Sequence, residues 1–269
     1  MDNQHSTRLK VLDLVPFGQA DPLHHFYALR LARPAWTQWE PGQFIMIRPD
    51  SFGLEIPWGR PLGICQLNQR HLICFFQVVG RGTQKLAELK IGEEVTVWGP
   101  LGHGFNIEDD TQTLLLAGGM GIVPFVGYVY SHPKPWNLTM LFGHRAPLDC
   151  YPVDTIKERI ALDTLRETVP GDLDNLIFNL EERIHDLADQ NGLVLACGPR
   201  PFLKTVQNFA LKFNVRAQLS LENRMACGVG ACLGCVTQTT EKWPEAEHAD
   251  SYVQVCTKGP VFWAHQITL

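Results

Sequence analysis

Through the first hundred residues apolar and polar positions alternate in short runs, each closed by Pro, Gly or Asp. Side chains of a pleated strand point to opposite faces in turn, so residues 8–15, 23–31, 43–48, 62–67, 72–79 and 94–98 are predicted strands. One short helical pattern, residues 83–89, interrupts them. Strands at this spacing predict an antiparallel barrel.

From Thr113 the pattern changes. Leu114, Leu115 and Leu116 form an apolar run, Gly118-Gly119-Met120-Gly121 a tight loop, and Pro124 a first-turn helix residue. Residues 138–142 and 193–196 are two more fully apolar strands. Between them Asn179 is the predicted cap of a helix over 180–189, with Gly192 beyond its end. Phe202, Leu203, Val206, Phe209, Ala210 and Phe213 then recur at helical spacing. Strands alternating with helices predict a parallel sheet covered on both faces. The expected fold class is therefore mixed β and α/β. It comprises an N-terminal antiparallel barrel over 1–106, a parallel α/β unit over 107–219 and a small C-terminal segment over 220–269.

Composition narrows the function. The 269 residues, 45% hydrophobic and 19% charged, suffice for two cores. A net charge of −5 offers no basic field for nucleic acid. The opening MDNQHSTRLK leads into no secretion signal, and no stretch approaches the roughly 20 apolar residues that span a bilayer. A soluble, cytoplasmic protein is expected, with neither nucleic acid nor membrane as partner.

Eight cysteines in a reducing compartment point to metal binding or reactivity. Cys65, Cys74, Cys150 and Cys197 are scattered. The other four follow Cys227-x4-Cys232-x2-Cys235-x20-Cys256, the plant-type spacing for a [2Fe–2S] cluster. Gly228, Gly230, Ala231 and Gly234 let the backbone curl and aim N–H groups at sulfur. No charged residue occurs from Met225 to Thr240, which predicts a loop that shields the cluster from water. A structural zinc site usually shows paired short spacings, and disulfides conflict with the missing signal peptide.

Three further motifs suggest ligands. Gly118, Gly119 and Gly121 could turn backbone N–H groups toward a pyrophosphate, although their spacing departs from G-x-G-x-x-G and a packing turn is the alternative. Cys197-Gly198-Pro199 ends the strand 193–196, where ligands of open α/β sheets lie, although a lone buried Cys is more often a small hydrophobe. Arg60-Pro61-Leu62-Gly63 opens a strand and Gly80-Arg81-Gly82-Thr83 a short helix; together they can hold a diphosphate.

Arg60-Pro61-Leu62-Gly63-Ile64, Gly82-Thr83, Gly99-Pro100-Leu101-Gly102, the glycine loop and Cys197-Gly198-Pro199 resemble the ferredoxin–NADP reductase superfamily. The stretch from Ser220 to Cys235, SLENRMACGVGACLGC, resembles the electron-transfer subunits of two-subunit, NAD-linked dihydroorotate dehydrogenases. The resemblance implies FAD on the barrel, held by Arg60, Pro61, Leu62, Gly63, Phe75, Phe76, Gln77, Gly82 and Thr83. It implies NAD(H) at Gly118, Gly119, Gly121, Cys197 and Gly198, and iron on Cys227, Cys232, Cys235 and Cys256. It also implies a hetero-oligomer with a flavin-containing dihydroorotate dehydrogenase catalytic subunit, serving pyrimidine biosynthesis.

Three departures stand out. Gly63 replaces a usual Ser, Phe76-Gln77 replace a usual Tyr-Arg, and the usual acidic-glycine stretch is not recognisable in 162–174. No Ser-His-Asp, HExxH or paired-carboxylate pattern occurs, and no catalytic residue is assigned. The same modules also fit the small subunit of a ferredoxin-, sulfur- or hydrogenase-linked NAD(P)H oxidoreductase, or a non-catalytic interaction subunit whose nucleotide site has decayed. Arg145 could meet a 2′-phosphate or face solvent.

Overall fold

The computed structural model describes residues 6–18, 25–240, 243 and 251–269. Positions 1–5 of the opening segment and 23–24 of the second predicted strand lie outside the described residues. Six strands, β1 (Ser6–Phe17), β2 (Phe26–Ala32), β3 (Phe44–Pro49), β4 (Arg60–Leu67), β5 (His71–Gln77) and β6 (Glu94–Leu101), close into an antiparallel barrel in the order β1-β2-β5-β4-β3-β6. The alternation read from the sequence sorts their side chains. Leu72, Cys74 and Phe76 of β5 fill the barrel with Ile45, Ile47, Leu62, Ile64, Val95 and Val97. The outward Phe75, with Cys65, joins a second core containing Ile122 and Val126. On the opposite side the outward Phe44, Met46 and Leu101 join a third. The short helix α1 (Arg81–Ala87) follows β5.

The second sheet is built on β7 (Thr113–Gly118), β8 (Leu138–His144), β9 (Ala161–Arg166), β10 (Leu193–Cys197) and β11 (Arg216–Ser220), all parallel. Helices α2 (Val123–Ser131), α3 (Asp154–Lys157), α4 (Pro170–Asp186) and α5 (Arg200–Lys212) connect these strands. After β11 come a two-stranded ribbon of β12 (Val236–Gln238) and β13 (Tyr252–Gln254), the single turn α6 (Val255–Lys258) and β14 (Val261–Trp263). Alternate residues of β7 face opposite cores: Leu115 packs with α2, and Leu114 and Leu116 pack with α4 and α5. Among the described residues no helix is long and apolar enough to cross a membrane.

Three expectations change. The sheet is not wholly parallel, because β14 runs antiparallel to β11 and gives the order β14-β11-β10-β7-β8-β9. The helix predicted over 180–189 starts at Pro170 instead. Asp172 accepts the N–H groups of Thr168 and Val169, at 2.7 and 3.0 Å, ahead of its first turn. Asn179 is thus mid-helix, its amide donating to the carbonyl of Asn175 at 2.8 Å. Finally, β9 and β11 are strands that the apolar pattern does not show. At the sheet edge β9 needs no apolar outer face, and the buried Gln218 of β11 accepts the Asn106 N–H at 2.9 Å.

Candidate cofactor and cluster site

The four clustered cysteines meet in two pairs. Cys227 and Cys232 bring their Sγ atoms within 3.3 Å, and the Cys256 thiol interacts with that of Cys235. Positive φ angles at Gly228 and Gly230, +74° and +81°, curl the loop so that its amides turn inward. The N–H groups of Val229 and Cys232 point at Cys227 Sγ at 3.5 and 3.4 Å. That of Gly230 donates to Cys256 Sγ at 3.2 Å, and that of Cys256 to Cys235 Sγ at 3.4 Å. Burial pushes the Cys227 thiol up, but the bonds from Val229, Cys232 and Ala231 outweigh it and bring it down to about 7. The Cys256 thiol is raised, by burial first and by Cys235 next. Among the described residues no three His, Cys or carboxylate side chains close on a single ion-sized point. Two thiol pairs with amides aimed at their sulfurs form a donor set chemically suited to a two-iron cluster.

The expected shielding is one-sided. Cys235 and Cys256 are buried and Cys227 is half-buried, but Cys232 is exposed. The uncharged stretch covers the side toward the third core. Val229, Leu233 and Val236 of the same stretch are exposed, as is Tyr252 on the paired strand β13.

On the barrel, Arg60 donates through Nη1 to the carbonyls of Trp58 and Gly59 at 3.0 and 3.1 Å. Its Nε–Nη2 edge lies over Gly82, where any Cβ would overlap the guanidinium. A cationic fork is therefore seated against the first turn of α1. Gly63 faces outward, and a Cβ there would meet only Val123 Cγ1, at 3.8 Å, so a planar group can lie against its backbone. These two features fit a flavin nucleotide. Of the other predicted contacts, two turn inward. The side chains of Leu62 and Phe76 point into the barrel, where Phe76 stacks on Tyr27. Phe75 packs edge-on against Phe17, and Pro61 and Gln77 are half-buried strand residues opposite Met46 and Phe26. The Thr83 hydroxyl accepts from Val79 and Gly80 and donates to the Gly80 carbonyl, closing its own helix start.

The glycine loop and the Cys-Gly-Pro turn lie against each other. Cys197 and Ala117 are register partners on β10 and β7, and a Cβ on Gly121 would overlap the Cys197 carbonyl oxygen. Gly118 and Gly198 pack against each other and against Phe202, while Gly119, at φ +53°, faces open space. The chain leaves β7 toward β8 on one side and β10 lies on the other. This is the reversal of strand order at which α/β sheets bind ligands. Burial pushes the Cys197 thiol up to about 12, with Glu222 adding to the shift and the Ser220 hydroxyl opposing it. Glu222 was not singled out by the sequence, because it marks a strand end only once β11 is known. Its carboxyl is raised by desolvation. Along the same carboxyl edge, Arg145 pairs with Glu167 through two bonds, at 3.1 and 2.8 Å.

Residues 222–268 match the family described as the iron-sulfur cluster binding domain of dihydroorotate dehydrogenase B. The dihydroorotate dehydrogenase B (NAD(+)) electron transfer subunit of Caldanaerobacter subterraneus is 33% identical over 227 residues, which covers 84% of this chain and 86% of the relative. The subunit so named from Listeria monocytogenes is 31% identical over 271 positions, covering 98% and 99%. The chain belongs to this family of electron transfer subunits.

Solved structures place the subunit's fold. An NADH-dependent reduced ferredoxin-NADP oxidoreductase superposes with a TM-score of 0.77 at 21% identity, over 97% of this chain and 89% of the other. The ferredoxin-NADP+ reductase of Plasmodium falciparum gives 0.63 at 15% identity, over 78% and 91%. In this electron transfer subunit the barrel, the dinucleotide-type sheet and the cysteine loop thus belong to one known architecture.

Proposed function

We infer that the chain moves electrons between NAD(H) and a dihydroorotate dehydrogenase catalytic subunit through FAD and a [2Fe–2S] cluster, in a cytoplasmic hetero-oligomer. A flavin, when bound, exchanges two electrons with a nicotinamide and single electrons with an iron–sulfur cluster. The residues supply position and charge. Arg60 and the Gly82 turn hold the FAD diphosphate, and Gly63 admits the ring against β4. Gly118, Gly119 and Gly121 receive the dinucleotide pyrophosphate, with Cys197 and Gly198 lining the crevice floor. Glu222, its carboxyl raised by desolvation, stands beside Cys197 at that floor. Cys227 and Cys232 take one iron of the cluster, Cys235 and Cys256 the other. The division is barrel 1–106, dinucleotide unit 107–219 and cluster segment 220–269. The exposed apolar Val229 and Leu233, which flank Cys232 in the loop, suit the catalytic partner, because exposed apolar surface marks a docking face and electrons must leave close by.

The single observation that carries this reading is the pairing of the four thiols under aimed amides. Anaerobic titration of the purified protein with NADH tests it. The flavin band should bleach and the cluster absorption should follow. Failure of both NADH and NADPH to bleach the flavin would overturn the reading.

A further inference from the structure

We propose that Trp98 is a positioning residue that fixes the cluster loop to the barrel and thereby sets the cluster's potential. The proposal rests on the cluster assignment above. Trp98 stands on the outward face of β6, opposite Met46 of β3. Its indole N–H donates to the carbonyl oxygen of Cys227 at 2.9 Å, bridging 129 residues of chain. The far edge of its ring rests on the backbone of Gly59, where a Cβ would stand 2.6 Å from Cη2. Gly59 immediately precedes Arg60, so one ring spans from the flavin strand to a cluster cysteine.

Met46 completes the seat. A Cβ on Gly228 would lie 2.5 Å from its Cγ, so the first two loop residues rest on neighbouring barrel side chains. The bond from Trp98 fixes the peptide plane between Cys227 and Gly228. The amides that follow that plane, of Val229 and Cys232, are those aimed at Cys227 Sγ. Amide donors withdraw charge from a thiolate and tune the potential of the metal it holds. A loosened plane weakens them, leaves the thiolate a stronger donor and favours the oxidised cluster.

The test uses Trp98→Phe, which keeps an aromatic ring and deletes the donor, and Gly59→Ala, which keeps the donor and displaces the ring. Both should retain wild-type iron and sulfide content, and Trp98→Phe also the wild-type FAD content and rate of flavin bleaching by NADH. Both should show altered EPR g-values of the reduced cluster, a lower midpoint potential and cluster reduction slowed about tenfold. If Trp98→Phe does not hold iron, Gly59→Ala decides by the same measurements. Wild-type g-values and midpoint in a loaded variant would overturn the proposal. Absence of iron and sulfide from the wild-type protein would instead overturn the cluster reading, and this proposal with it.

Discussion

The carbonyl oxygen of Cys197 lies directly against the α-carbon of Gly121, leaving no room for a side chain between the two loops of the proposed dinucleotide site. Gly121→Ala must therefore push β7's loop away from β10's. Overpacking of this kind costs about 1–3 kcal/mol. The expected variant folds and keeps its FAD and cluster absorption, but its apparent affinity for NADH falls at least tenfold in flavin-bleaching titrations. Unchanged NADH affinity would show that the crevice is not where the nicotinamide nucleotide sits.

Glu167 engages Arg145 at the carboxyl edge of β8 and β9, the edge at which an adenosine ribose would lie. With its cation occupied and a carboxylate beside it, this edge repels a 2′-phosphate. Glu167→Gln frees Arg145 and removes the repulsion. The ratio of NADPH to NADH affinity, measured by direct binding, should rise roughly tenfold, and Arg145→Ala added to it should cancel the gain.

Cys232 is the exposed member of its sulfur pair. Cys232→Ser should abolish the visible cluster absorption and leave the flavin band and its bleaching by NADH intact. A variant with full iron and sulfide would remove Cys232 from the ligand set.

Glu108 accepts two bonds from Arg216, at 2.9 and 2.8 Å, tying the segment before β7 to the start of β11. That hydrogen-bonded pairing holds the Glu108 carboxyl below its ordinary value near 4.5. Since the folded state favours the ionised form, the stabilisation is fully present above about 4.5 and disappears as pH falls through the lower folded value. The pair is partly solvated, so its contribution is at most about 1 kcal/mol. Urea unfolding of Glu108→Gln against the wild type should differ at pH 7 and converge as pH falls through the lowered folded value. Parallel curves at all pH values would contradict this.

The barrel was legible because Leu72, Cys74 and Phe76 alternate with Ile73 and Phe75, and that period has one structural solution. The cluster was legible because ligand spacing is a chemical constraint. The rest depends on partners distant in sequence. Trp98 reads as one more strand residue until Cys227 is seen beside it. Glu222 gains meaning only from β11, whose apolar pattern is broken by Gln218 and hidden by that residue's own satisfied bond. Likewise Leu62 and Phe76 sit inside a plausible flavin motif, yet strand parity turns them into the barrel.

The strand β14 runs beside β11, and the buried Gln207 of α5 donates to the carbonyls of Ala264 and Ile267, each at 2.7 Å. The tail that supplies Cys256 is thus a fastener for the α/β sheet proposed to receive the nicotinamide nucleotide. Trimming it would unseat both stations together.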